Sequence, residues 1–180
     1  MNYKTYTLKI AGQTRELPLC PVNDKLDIAA FVMFSDVELT IAAATELLKL
    51  VPQHDVLITA ESKGIPLAYE MSRQSGKRYL LARKSQKLYM RKVVEVQVRS
   101  ITTSAIQNLY LDEDDMKYLR GKRVLLVDDV ISTGDSISAL EQLVQHAGGK
   151  IAGKACVLAE GDAAKRDDII FLEPLPLFFK

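Results

Sequence analysis

Apolar residues recur along this chain with two periods, and the order of the periods outlines a fold. Residues 3–10 and 14–19 read as two strands joined by the turn dipeptide Ala11–Gly12. Residues 26–34 form an apolar stretch that fits either element type. A helix is predicted from an N-cap at Ser35 or Asp36 to about Leu50, with Val37, Ile41, Ala44 and Leu48 on its inner face. Strand and helix then alternate. Residues 55–60 predict a strand, 64–73 a helix stopping near Ser75–Gly76, and 78–82 another strand. In 93–99, Val94, Val96 and Val98 alternate with Glu95, Gln97 and Arg99, the period of a half-exposed antiparallel strand, and 103–111 is its expected hairpin partner. Residues 123–127 predict a strand whose run from Val124 to Val127 is continuously apolar, as in a strand buried on both faces. Ile137, Leu140, Leu143, Val144 and Ala147 mark the inner face of a following helix closed by Gly148–Gly149, and 151–158 and 168–172 predict the last strands. The alternation implies an α/β fold, a mostly parallel sheet flanked by helices with an antiparallel excursion in the middle.

Composition narrows the class. The 180 residues contain no repeat or linker-like tract, so a single domain, 1–180, is expected. A net charge of +1 provides no general field toward nucleic acid or a membrane, and neither partner is expected. No apolar run is long enough to span a bilayer, and residues 1–10 lack the apolar core of a signal peptide. The two cysteines, Cys20 and Cys156, form neither a disulfide framework nor a metal-ligand spacing and fit a reducing, cytoplasmic setting. Arg83, Lys84, Lys87, Arg91 and Lys92 cluster, as do the acids of 112–115; each cluster reads as a solvated face unless something places it beside an oppositely charged ligand.

Chemistry concentrates in residues 124–138. A buried strand delivers Asp128 and Asp129 at its C-terminal end, and a loop of Ser132, Thr133, Gly134, Asp135 and Ser136 leads into a helix. Ligands of open α/β sheets bind at that edge. The first N–H groups of a helix lack intrahelical partners and carry positive potential, so the loop suits a phosphate. The adjacent carboxylates suit sugar hydroxyls or a divalent cation held through them. Phosphate and diol together indicate a ribose 5-phosphate. A receiver domain would carry its acidic pair on the first strand, a nucleotide P-loop would need a lysine in the loop, and a purely structural turn would not need the second carboxylate.

These residues resemble the ribose-phosphate motif of the type I phosphoribosyltransferases. The resemblance implies that Asp128 and Asp129 hold the ribose hydroxyls and act in catalysis, and that Ser132, Thr133, Gly134, Asp135 and Ser136 hold the 5-phosphate. Asp135 replaces a glycine common in the family; it either caps the helix or repels the phosphate, and the cap is favoured because Asp is a good N-cap residue. Upstream, Glu61, Ser62, Lys63 and Gly64 resemble the Glu–Ser–Arg–Gly loop of adenine phosphoribosyltransferases, with lysine for arginine. That loop, with Arg83, Lys84 and Lys87, is expected to bind pyrophosphate.

The family implies a flexible hairpin between Ser85 and Leu111, a small hood drawn partly from 1–35 and 160–180, a homodimer, and magnesium bound through the substrate rather than by a protein site. The expected reaction joins 5-phosphoribosyl-1-pyrophosphate to a purine, adenine first, in nucleotide salvage. Adenine enzymes carry a Tyr–Ser–Leu–Glu–Tyr run in the hairpin; here residues 99–103 lack the glutamate and look closer to xanthine enzymes. Glu160, Gly161 and Asp162, with Arg166 beyond, resemble the adenine type. The alternatives are a xanthine-type enzyme, one acting on a pyrimidine or other base, and a catalytically inactive regulatory domain sensing the donor.

Overall fold

A computed structural model describes residues 4–90, 92–99 and 106–180. Its centre is a five-stranded parallel sheet of order β10-β9-β8-β4-β5, built from β4 (Val56–Ala60), β5 (Tyr79–Ala82), β8 (Arg123–Ile131), β9 (Lys150–Glu160) and β10 (Ile170–Leu175). Every residue of β4 is buried, as an interior strand of a parallel sheet requires. Side chains divide between the faces with period two. Val56, Ile58, Val124 and Leu126 pack with Ile137, Leu140, Leu143 and Val144 of α4 (Asp135–His146). Leu57, Leu125 and Val127 pack with α1 (Val37–Leu50) and α2 (Ile65–Ser75).

That second core also takes Leu8, Ile10 and Leu17 from an antiparallel sheet, order β1-β2-β3-β11. Its strands are β1 (Thr5–Ile10), β2 (Gln13–Asn23), β3 (Leu26–Ala29) and β11 (Leu177–Phe179). The ambiguous stretch 26–34 thus begins as a strand, and the apolar C-terminus closes the sheet by pairing with it. The hairpin forms from β6 (Val94–Arg99) and β7 (Ile106–Leu111), in register from Val94↔Leu111 to Arg99↔Ile106. Residues 100–103, which bear on the hairpin glutamate, lie outside the described residues.

Three expectations are corrected. The inner face of α1 is Leu39, Thr40, Ala43, Ala44 and Leu47, while Val37 is 66% exposed and Ile41 is also exposed. Both sets satisfy a helical period, and tertiary contacts decide between them. Asp36 caps Leu39 N–H and is gripped by Arg15 of β2 at 2.6 and 2.9 Å, which fixes the helix rotation. The acids of 112–115 do not form a bare solvated face. Asp112 caps a short helix, α3 (Glu113–Leu119), whose first turn is acidic and faces the positive end of the helix dipole. Finally, β8 does not stop at Val127; its ladder with β9 continues to Ile131↔Ala159, so the acidic pair lies within the strand.

Candidate active site

The site forms at the C-terminal edge of the central sheet, where β4 and β8 end beside each other and both enter helices. The β4–α2 loop holds Glu61, Ser62, Lys63 and Gly64, and its Glu61–Ser62 peptide is cis. Gly64 is required by contact. A Cβ there would run into Thr59 Oγ1 and stand 3.1 Å from Asp128 Oδ1 and 3.3 Å from Asp128 Cα. The loop is therefore seated directly on the acidic pair of β8.

Asp129 is 2% exposed, and its Oδ2 is buried without a hydrogen-bond partner among the described residues. Its ion-pair partner is Lys63, with Nζ 3.5 Å from Oδ2. An unsatisfied buried carboxylate oxygen is costly, and the residue that carries it lines a cavity. Asp129 N–H donates to Asp128 Oδ1 at 2.9 Å. Burial, and then the charge of Asp129, push the Asp128 carboxyl up to about 7.

Two cavities meet at the pair. One, of about 210 Å³, is lined by Glu61, Ser62, Lys63, Lys84, Asp128, Asp129 and Ser136, with Ala60 and Val130. The other, of about 50 Å³, is lined by Ser132, Thr133, Gly134, Asp135 and Ser136, together with Asp128 and its neighbours. Asp128, Val130 and Ser136 belong to both, so the cavities form one cleft.

In the smaller cavity the expected cap is displaced by one residue. Gly134, at φ 85, is the N-cap of α4, and Asp135 is the first helical residue. The left-handed conformation explains the shift, because a glycine holds it without strain. At the first turn the Asp135 carboxylate still lies in the favourable field of the dipole. The Asp135 N–H lies 3.5 Å from Thr133 Oγ1.

Two basic residues stand elsewhere. Arg83 Nη1 donates to Glu61 Oε1 at 2.9 Å, and the Lys84 N–H donates to Glu61 Oε2 at 3.0 Å. Glu61 is held below the usual carboxylate range first by that Lys84 N–H and then by Arg83. It thus ties the β4–α2 loop to the segment that opens the hairpin arm. Arg83 lies over the Tyr89 ring and borders a separate cavity with Arg78 and Asp115. Lys87 Nζ donates to Ser85 Oγ. Arg166 reaches the back of Gly134, a contact that no sequence spacing signals.

Residues 36–175 match the phosphoribosyl transferase domain family. The chain belongs to that family. A hypoxanthine/guanine phosphoribosyltransferase of Methanotorris igneus is 32% identical over 147 residues, covering 81% of this chain and 73% of the relative. An adenine phosphoribosyltransferase of Cenarchaeum symbiosum is 36% identical over 118 residues, 64% of this chain and 66% of its own. In fold, the chain is similar to the crystal structure of an adenine phosphoribosyltransferase from Thermoanaerobacter pseudethanolicus, with a TM-score of 0.72 at 20% identity, covering 88% of this chain and 95% of that one. The mostly parallel sheet with flanking helices and an added antiparallel sheet is the type I phosphoribosyltransferase arrangement expected from the sequence.

Proposed function

We propose that this phosphoribosyltransferase transfers ribose 5-phosphate from 5-phosphoribosyl-1-pyrophosphate to a purine, adenine before the others. The observation that carries the reading is the joined cleft: a helix N-terminus, a carboxylate pair and a lysine-bearing loop stand in the order of the donor's 5-phosphate, ribose and pyrophosphate. The N–H groups and hydroxyls of Ser132, Thr133, Gly134, Asp135 and Ser136 take the 5-phosphate. Asp128 and Asp129 accept from the ribose hydroxyls, and Ser62, Lys63 and Lys84 face the pyrophosphate. Glu61 and Arg83 brace this wall, and Lys87 adds charge from the neighbouring segment.

Attack by a base nitrogen at C1 breaks the C1–O bond, pyrophosphate leaves with the bonding pair, and the proton of the base passes to pyrophosphate or solvent. The sugar passes through a cationic state, which the two carboxylates stabilise electrostatically. Orientation of donor and base within the cleft supplies most of the remainder. Magnesium, when bound with the donor, supplies positive charge that eases departure of pyrophosphate. The unsatisfied Asp129 Oδ2 is suited to a sugar hydroxyl or metal-bound water, and among the described residues no group of three His, Cys, Asp or Glu forms a protein cage for the ion.

Adenine is preferred because the residues around Glu61 and Glu160 resemble the adenine enzymes; hypoxanthine and guanine are the rivals because several relatives carry their name. Comparing kcat/KM for adenine, hypoxanthine, guanine and xanthine with donor and magnesium tests this directly. Adenine is expected to lead, and a tenfold or greater preference for an oxopurine would replace the assignment. A homodimer is also proposed. Met33, Val37, Ile41, Pro66 and Tyr69 line an apolar groove of about 230 Å³, with Tyr69 56% exposed, and a second copy would cover it. No described helix is long and apolar enough to cross a membrane.

Two outcomes follow from the charges. The raised Asp128 holds its proton more tightly in the folded chain, so its contribution to stability is complete below the ordinary carboxylate value of 3.8 and lost as pH rises to about 7. Donor binding needs the ionised form. Thermal scans of the ligand-free protein should therefore show the melting temperature falling across this range, while kcat/KM rises about tenfold per pH unit and levels off above neutrality. Lys84→Ala removes a cation from the pyrophosphate side but leaves the backbone N–H on Glu61. Pyrophosphate binding should weaken about tenfold by calorimetry, with ribose 5-phosphate binding unchanged.

A further inference from the structure

The smaller cavity has no basic side chain in its lining; its charged residues are Asp128 and Asp135. A phosphate dianion entering it would meet helix N–H groups and hydroxyls, but also those carboxylates. A guanidinium from outside the cavity lining nevertheless stands against the loop. Arg166 follows the 3-10 turn Gly161–Lys165, and its Nη1 stands 2.6 Å from the position a Cβ on Gly134 would occupy.

That placement is held by a chain of charges. Arg166 Nε and Nη2 donate to Asp168 Oδ1 and Oδ2, both at 2.8 Å. Asp168 accepts from Lys154 Nζ at 3.0 Å, and the same ammonium pairs with Glu141 of α4 at 2.9 Å. The Lys154 side chain is only 14% exposed, so the chain is anchored inside the protein. Asp168 occupies Nε and Nη2, which orients the guanidinium and directs Nη1 at the glycine. The network joins the body of α4 and strand β9 to the loop that opens α4.

We infer that Arg166 is a positioning residue for the 5-phosphate. Locked by Asp168 beside Gly134, it holds the loop in shape and keeps a charged guanidinium against the glycine over which the dianion would sit. The inference rests on the donor-site reading proposed above.

Calorimetric titration of the full chain with ribose 5-phosphate and, separately, inorganic pyrophosphate tests it. Arg166→Gln keeps hydrogen-bonding capacity but removes the charge. It should weaken ribose 5-phosphate binding about tenfold and leave pyrophosphate within about twofold of wild type, and Arg166→Lys should restore most of the loss. Asp168→Asn, which keeps the guanidinium but loosens its orientation, provides an independent reading with an expected loss of about threefold for ribose 5-phosphate alone. Unchanged ribose 5-phosphate binding in both Arg166→Gln and Asp168→Asn overturns the inference. So does an equal loss for both ligands that lysine fails to restore, the mark of a general structural role. Wild-type protein that binds no ribose 5-phosphate removes the donor-site reading and this inference together; wild-type binding with no effect of either variant removes this inference alone.

Discussion

Asp129→Asn is expected to lower kcat/KM with donor and purine on the order of a thousandfold while leaving the melting temperature within about 2 °C of wild type. The two halves of that expectation share one cause. Asp129 is almost fully buried, yet among the described residues Oδ2 has no hydrogen bond, and its ion-pair partner Lys63 lies 3.5 Å away on a half-exposed side chain. A carboxylate retained for the fold would have its oxygens satisfied, because an orphaned buried acceptor costs about 1–3 kcal/mol. This one lacks that satisfaction in a residue that lines the cleft. Asparagine has the same shape, so no cavity or clash is introduced, and loss of the charge relieves repulsion with Asp128. What disappears is negative charge beside the ribose, where cationic character develops during transfer. Activity assays and thermal melts on the same preparation separate the two effects. A variant that unfolds, or one that turns over normally, would show the pair to be structural.

Gly64→Ala should be the second most damaging change, although it alters neither charge nor hydrogen bonding. The added methyl would run into Thr59 Oγ1 and crowd the Asp128 backbone at 3.3 Å. Thr59 is fully buried and the backbone of β8 is held in the sheet by its neighbours β4 and β9, so neither can give way cheaply. The loop carrying Ser62 and Lys63 has to lift, or Asp128 has to move. Overpacking of this kind costs about 1–3 kcal/mol. A displacement near 1 Å of the wall against the acidic pair is enough to reduce turnover on the order of a hundredfold. Donor titration should show weakened binding with the pyrophosphate contribution lost first. An alanine variant with unchanged kinetics would mean that the loop does not rest on Asp128 when the protein is working.

The elements nearest the chemistry were the most legible in the sequence. Residues 56–60 and 124–127 are apolar on both faces, which only an interior strand of a covered sheet requires, and they position both site loops. The loop 132–136 was legible as the entry to a helix because its hydroxyl residues and glycine favour a helix start. Features set by distant partners were less so. The rotation of α1 is decided by Arg15 on another element, and Val37–Ile41 satisfies the same helical period as Leu39–Ala43–Leu47. The strand was legible up to the acidic pair, but its continuation to Ile131 was not, because it depends on pairing with β9. The one-residue shift of the α4 cap reflects a left-handed glycine whose conformation sequence alone does not fix. Glu61 bound to Arg83, and Arg166 against Gly134, depend on which segments the fold brings together, so no spacing rule announces either.

The central claim is that this cleft both holds the phosphoribosyl donor and passes its sugar to a base. Product analysis after mixing the protein with 5-phosphoribosyl-1-pyrophosphate, magnesium and adenine tests it most directly. The proposed function predicts adenosine monophosphate and pyrophosphate appearing in equal amounts, at a rate that collapses in Asp129→Asn. Donor that binds tightly while neither adenine nor any other base is consumed would contradict the claim and leave a donor-sensing domain in its place.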